Sequence, residues 1–265
     1  MIGAIIGDVV GSRFEFNNIK TKEFDLFAQD SKFTDDTVLT IAVADWVLHA
    51  NNLDDEQEAA KYLQKWARRY PRAGFGGKFF FWKDEENPKP YNSCGNGSAM
   101  RISPVPYLFD NEEEMIKACR TITGVTHNHP EGMKGAEVVA QMIFKARNGA
   151  SKEELTEYAI SQYPEIKHMD YDYLVKTYTH GTEICQLSVP QAIYCFLISK
   201  DFEDCIRTIM SIGGDCDTTG AMAGAIAEVY YKEIPKEIIA ETWRRLPQDM
   251  QEVLQEEYGE KLRFI

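Results

Sequence analysis

Apolar positions recur along this chain every three to four residues and almost nowhere alternate one by one. That period belongs to helices, so the sequence predicts an all-α fold without a sheet. Residues 37–49 (TVLTIAVADWVLH) are apolar around most of the helix circumference, as expected of a central, buried helix. Residues 55–69 are amphipathic, and further helices fit 112–123, 130–148, 190–199, 201–211, 217–231, 236–245 and 248–258. Pro130 suits a first helical turn, Gly149 a stop, and Ser151 with Glu154 a capping box opening the next helix. Residues 70–98 read as one long loop, rich in Gly, Pro, Asn and aromatics. A loop of that length within a domain usually serves function, and its aromatics argue that it is ordered. In residues 219–227 (TGAMAGAIA), Gly220 and Gly224 share a helix face that lets another backbone come close. No repeat and no low-complexity tract interrupts the pattern.

Composition narrows the class. The chain has 265 residues, 44% of them hydrophobic, which fits one large domain over 1–265, or at most two. A net charge of −13 excludes a general nucleic-acid binder but not a phosphate-bearing substrate, since bound cations invert the local field. The six cysteines form no C-x-x-C pair and read as reduced, mostly buried thiols. The apolar start, MIGAIIGDVVG, is too short for a membrane span and has no basic flank or cleavage site. The expectation is therefore a cytoplasmic protein, monomeric and without a membrane segment.

Five segments carry the candidate chemistry. In Gly213–Gly220 (GGDCDTTG), Asp215 and Asp217 open a small-residue helix. One aspartate is explained as a helix cap; two with adjacent threonines exceed what capping needs. Buried carboxylates call for a cation, and carboxylate and hydroxyl oxygens suit a hard one. Thr34-Asp35-Asp36-Thr37 repeats that composition ahead of the helix at 37–49. Should the two helix starts meet, four carboxylates converge and need about two divalent ions to stay ionised. The segment Gly95-Asn96-Gly97-Ser98-Ala99-Met100-Arg101 allows close backbone approach to a ligand, though a plain turn explains it as well. Of the two histidines in Thr126-His127-Asn128-His129-Pro130, His127 suits a hydrogen bond to substrate better than a place in an all-oxygen metal site. Finally, Gly7 and Gly11 suit tight helix packing, and Glu15 just beyond is a candidate acid/base.

Taken in this order, from Gly3 to about Tyr231, these segments resemble the ADP-ribosylglycohydrolase family, which includes the dinitrogenase reductase-activating glycohydrolases. The resemblance rests on G-x-x-x-G-D-x-x-G-x-x-x-E at Gly3–Glu15, on Thr34–Thr37, on Gly95–Arg101 and on G-D-x-D-T-T at Gly214–Thr219. It implies a single compact orthogonal bundle of many helices and two Mg²⁺ or Mn²⁺ ions. By position, Thr34, Asp35, Asp36, Asp215, Asp217 and Thr218 are the implied metal ligands. Gly95 to Met100 would hold the diphosphate and distal ribose, with Gly97 and Ser98 at the centre; His127 would contact substrate, and Phe75 and Gly76 would line the loop. Asp36 or Glu15 would move the proton.

The implied activity is hydrolytic release of ADP-ribose from a modified protein or small molecule by cleavage at the anomeric carbon of the proximal ribose, through an oxocarbenium-like transition state. An arginine linkage is favoured over a serine linkage or a small ADP-ribose ester, and the loops 16–32 and 70–94 are expected to decide. Two other classes compete. A non-catalytic ADP-ribose binder or structural relative can lose its aspartates, whereas this chain keeps them. A two-metal phosphohydrolase or nuclease would release a nucleotide monophosphate, and the acidic surface counts against a nucleic-acid substrate.

Overall fold

The first helix is apolar at nine of its ten positions, with Asp8 the exception. In a computed structural model that describes residues 1–259, helix α1 (Ile2–Gly11) is buried along its whole length. Positions 260–265 of the expected 1–265 span lie outside the described residues. The helices that follow are α2 (Asp35–His49), α3 (Glu56–Arg69), α4 (Gly77–Trp82), α5 (Gly97–Met100), α6 (Pro104–Leu108), α7 (Glu112–Gly124), α8 (Pro130–Arg147) and α9 (Lys152–Gln162). A 3-10 turn at Pro164–His168 leads to α10 (Tyr171–Thr177), α11 (Cys185–Ile198), α12 (Phe202–Ile212), α13 (Cys216–Tyr231), α14 (Lys236–Trp243) and α15 (Gln248–Tyr258). The described residues contain no strand. One isolated antiparallel bridge, between Gly95 and Ile184, ties the loop before α5 to the start of α11.

Two helices that meet along glycine-lined faces make the centre. Gly3, Gly7 and Gly11 of α1 face Gly220 and Gly224 of α13 so closely that an added methyl at Gly3 or Gly7 would collide with the backbone of Gly224 or Gly220. At Gly11 it would lie 2.6 Å from Asp217 Cα, and at Gly220 2.8 Å from the Gly7 carbonyl oxygen. The packing therefore sets backbone against backbone, and it holds the C-terminal end of α1 beside the first turn of α13. Around this pair, α2, α8, α11 and α12 supply the large apolar groups, among them Trp46, Phe196 and Phe202.

Several boundaries differ from the sequence expectation. Helix α2 starts at Asp35, so the paired aspartates sit in its first turn instead of ahead of it. Helix α11 starts at Cys185, five residues before the expected 190, and carries Pro190 inside. The proline reads as a helix start, yet it costs only one backbone hydrogen bond near an N-terminus, and the buried face running from Cys185 to Phe196 outweighs it. The 70–98 loop is not continuous coil, since its aromatic run KFFFW forms α4, with Phe79 and Trp82 buried. The capping box at Ser151 is present in full, with Ser151 Oγ accepting from Glu154 N–H and the Glu154 carboxylate accepting from Ser151 N–H.

Candidate active site and metal centre

The first turn of α2 is capped without help from either of its own aspartates. Thr34 Oγ1 accepts the Asp36 N–H at 3.2 Å. Asp8, reaching over from α1, accepts the backbone N–H groups of Thr34 and Thr37 at 2.9 and 3.0 Å, the Thr34 hydroxyl at 2.8 Å and the Thr37 hydroxyl. Asp35 and Asp36 are thus left free for other use, and Asp36 Oδ1 is buried with no hydrogen-bond partner. A helix cap alone does not account for them.

The start of α13 is built the same way. Gly213 and Gly214 both have positive φ, +79° and +76°, a bend that side chains resist. The Asn18 side chain holds it, accepting from Gly214 N–H at 2.8 Å and donating to Gly214 O at 3.0 Å. Lys20 Nζ donates to Ile212 O at 2.5 Å and to Tyr178 O. Asp215 stands at the N-cap position but its side chain makes no capping bond; its Oδ2 accepts instead from Asn96 Nδ2 at 2.6 Å.

Because α1 and α13 touch backbone to backbone, these acids converge. One oxygen from each of Asp8, Asp36 and Asp217 lies within 4.8 Å of the others, and so does one from each of Glu15, Asp215 and Asp217. Asp217 is common to both triads. Burial raises every member, and the charges of neighbouring acids add to it at Asp36 and Asp217: those two lie far above the ordinary carboxylate range, while Asp8 and Asp215 shift in the same direction. Burial, then the charge of Asp8, pushes Asp35 up to about 8; burial, then Asp215 and Asp8, pushes Glu15 up to about 7. A protein that gathers ionisable oxygens at this cost, with one buried oxygen left unbonded, has the donor set that hard divalent cations take.

The acids form one wall of a cavity of about 340 Å³. Glu15, Asp35, Asp36, Asp215, Asp217 and Thr218 line that wall; Gly95, Asn96, Gly97, Met100 and His127 line another. Gly76, Gly77, Lys78, Phe79 and Tyr91 close the side formed by the 70–98 segment. Three expected substrate residues do not line the cavity. Ser98 is fully buried and gives its hydroxyl to Gly132 O at 2.9 Å, Ala99 is fully buried beside it, and Phe75 stacks on Phe79 behind the wall. Thr34 also stays off the wall, bonded to Asp8 and Asp36. The two histidines part company: His127 faces the cavity, while His129 Nδ1 accepts from Glu131 N–H at 3.1 Å and caps α8. Burial and the nearby Arg101 cation push His127 well below its ordinary value, so its ring is neutral.

Sequence reasoning misses Asp8, Lys78, Tyr91 and Glu183 as site residues, and names Arg101 only as the end of the Gly95–Arg101 segment. Asp8 had a signal, being the one charged residue in an otherwise apolar helix; Lys78 and Tyr91 lie in the 70–98 segment read as functional without being singled out, and nothing local marks Glu183.

Comparison with known proteins assigns the chain to a family and a fold. The family model described as ADP-ribosylglycohydrolase matches residues 1–262. The ADP-ribosylhydrolase ARH3 of Mus musculus is 26% identical over 92% of this chain and 85% of its own length. The ADP-ribosylarginine hydrolase Tri1 of Pseudomonas putida is 24% identical over 87% of this chain and 69% of its own. A solved structure titled ADP-ribosylglycohydrolase-related protein complex has the same fold, with a TM-score of 0.69 at 23% identity, covering 97% of this chain and 96% of the other. With the family model spanning nearly every residue and the expected segments meeting at one cavity, the chain belongs to the ADP-ribosylglycohydrolase family.

Proposed function

We propose that this chain is a divalent-cation-dependent hydrolase that removes ADP-ribose from an ADP-ribosylated acceptor by cleaving the bond at the anomeric carbon of the proximal ribose. The observation that carries the reading is the meeting of three distant segments, at Asp8–Glu15, Asp35–Asp36 and Asp215–Asp217, on one wall of a cavity faced by the Gly95–Gly97 loop. Asp35, Asp36, Asp215, Asp217 and Thr218 would hold two ions, Mg²⁺ or Mn²⁺. Asp8, by accepting from Thr34 and Thr37, would fix the first turn of α2 and so set the Asp36 carboxylate in place. When bound, the ions supply Lewis acidity, easing deprotonation of an attacking water and orienting the ribose hydroxyls.

The chain's own groups do the rest. Glu15 stands at the partly open edge of the acid wall, where a carboxyl can exchange a proton both with the attacking water and with solvent. Asp36 is fully enclosed and better suited to holding charge than to exchanging protons with solvent. The acidic wall favours the positive charge that develops on the sugar. Gly95 and Gly97, with no side chains, leave room for phosphate oxygens to approach the backbone, and Tyr91 and Phe79 offer apolar surface to a base. Glu15 and Glu183 together make an acidic rim, which favours an arginine-linked acceptor over a serine-linked one. The six free thiols, five of them buried, support a reducing, cytoplasmic setting.

The test is release of ADP-ribose from matched peptides modified on arginine or on serine, with Mg²⁺, with Mn²⁺ and with chelator. Asp35→Ala should lower the rate by roughly a hundredfold or more, since even outer-shell changes at metal sites cost ten- to a hundredfold. Release that ignores chelator would sink the metal reading. Adenosine monophosphate as product would instead indicate a phosphohydrolase, and tight ADP-ribose binding without turnover a binding protein.

A further inference from the structure

Behind the Gly95–Gly97 loop runs a chain of hydrogen bonds with a fixed direction. Arg101 is 1% exposed, and its Nη2 donates to Thr126 Oγ1 at 2.7 Å. Thr126 is fully buried, and the same oxygen lies 2.7 Å from His127 Nδ1. Arginine only donates, so Thr126 Oγ1 must accept from it. The hydroxyl then has one proton to place, and among the described residues His127 Nδ1 is its one available acceptor. The opposite arrangement, with Nδ1–H donating to the hydroxyl, would leave the Thr126 proton buried and unbonded, at a cost proteins avoid. The proton of the neutral ring therefore sits on Nε2. That atom makes no hydrogen bond within the described chain and points at Gly95 and Gly97, 3.6 Å from where a side chain at either would begin.

We propose that Arg101 and Thr126 are positioning residues that lock His127 in its Nε2–H tautomer, so that the ring serves the cavity as a neutral hydrogen-bond donor to an acceptor oxygen of the ligand seated at Gly95–Gly97. The backbone completes the lock. His127 N–H bonds to Thr123 O at 2.9 Å, and Ser93 N–H, on the cavity side, bonds to Thr126 O at 3.4 Å. The Arg101 cation, buried and with Nε and Nη1 unpaired among the described residues, opposes a second proton on the ring. The identity of the nitrogen that carries the proton is set by the bond the other nitrogen makes. A phosphate or hydroxyl oxygen fits such a donor; a group that can only donate does not. The ligand half of this inference rests on the ADP-ribose reading above, and the tautomer half stands without it.

Long-range ¹H–¹⁵N correlation spectra of the Mg²⁺-loaded protein report the tautomer directly, with His127 assigned by its loss in His127→Gln. The wild type should show the Nε2–H form and no titration over about pH 5–8, a window that spans the ordinary histidine value. Thr126→Val keeps the shape and removes the hydroxyl; it should give a mixture of tautomers and bind ADP-ribose about tenfold more weakly by calorimetry, the effect of one lost hydrogen bond. In turnover this should appear as a raised KM with kcat little changed, and Thr126→Ser should restore both tautomer and affinity. An Nδ1–H or doubly protonated ring in the wild type overturns the proposal, as does an unchanged tautomer or unchanged affinity in Thr126→Val. The wild-type spectrum alone decides the tautomer should Thr126→Val not fold. An Nε2–H ring that Thr126→Val scrambles, in a protein that binds no ADP-ribose, would uphold the relay and refute the ADP-ribose reading.

Discussion

Single residues hold this site by bonds that point away from the ligand. Asn18 is the clearest case, with its one side-chain amide satisfying both backbone groups of Gly214 and so fixing the doubly glycine bend that aims Asp215. Asn18→Ala should cost about 2–3 kcal/mol of stability, since it removes the bonds to Phe14 O and Glu15 O along with the two to Gly214. It should also weaken divalent-ion binding roughly tenfold, as loss of an outer-shell support does. Thermal melts and Mn²⁺ titration of the variant check this; an unchanged Mn²⁺ affinity would mean that the bend holds without the amide. Much of this scale was readable beforehand. Two aspartates at one helix start are more than a cap requires: at α2 the capping is done by Thr34 with Asp8, and at α13 Asp215 makes no capping bond while Asp217 accepts only the Thr218 N–H. Asn18, Lys78, Tyr91 and Glu183 were not readable, because each acts across more than a hundred residues of chain or from a loop whose path no local pattern dictates.

Among the elements, α1 and α13 deserve separate treatment because their contact is made of backbone. A methyl group at Gly7 has no flexible side chain to push aside; it meets the carbonyl of Gly220. Gly7→Ala should therefore destabilise by about 3 kcal/mol, the upper part of the usual range for overpacking, and should abolish turnover in whatever fraction still folds. Gly124→Ala is the control: its nearest neighbour is Glu56 Oε1 at 3.8 Å, and the change should stay within about 1 kcal/mol of wild type. Denaturant melts of the two variants give the comparison, and equal midpoints would refute the backbone-contact argument. The glycine spacing in the sequence announces such a contact but not its partner, since Gly3-Gly7-Gly11 and Gly220-Gly224 are matched only in the folded chain. The helices themselves were legible wherever an amphipathic stripe or a cap marked them, as at α3, α7 and α8. Short α4 and α5 were not, since six and four residues carry too little period to see.

For the molecule as a whole, the acid cluster makes stability depend on what occupies it. Asp35 and Glu15 rise in the fold to about 8 and about 7 from ordinary values of 3.8 and 4.5. In chelator the native state therefore keeps protons that the unfolded chain has released, so stability should fall as pH rises from about 4 to about 8. Saturating Mg²⁺ should flatten that slope and add about 2.7 kcal/mol per ion at a hundredfold excess over its dissociation constant. Melting temperatures with chelator and with Mg²⁺, at about pH 5 and about pH 8, test both statements. A chelated protein that grows more stable toward pH 8 would show that the acids are not repelling one another. The paired glycines of α1 and α13 also set where this chain tolerates insertion. Each residue added to a helix advances it by about 1.5 Å and turns it by about 100°. One residue inserted between Gly3 and Asp8, or between Asp217 and Gly224, would slide the two backbones out of register and swing a carboxylate away from its partners. Insertions of many residues in the connection at 50–55 would leave that register untouched. The helix pair works as a caliper whose jaws are the acids: lengthening its shaft moves them apart, whereas lengthening a connection remote from the cavity does not.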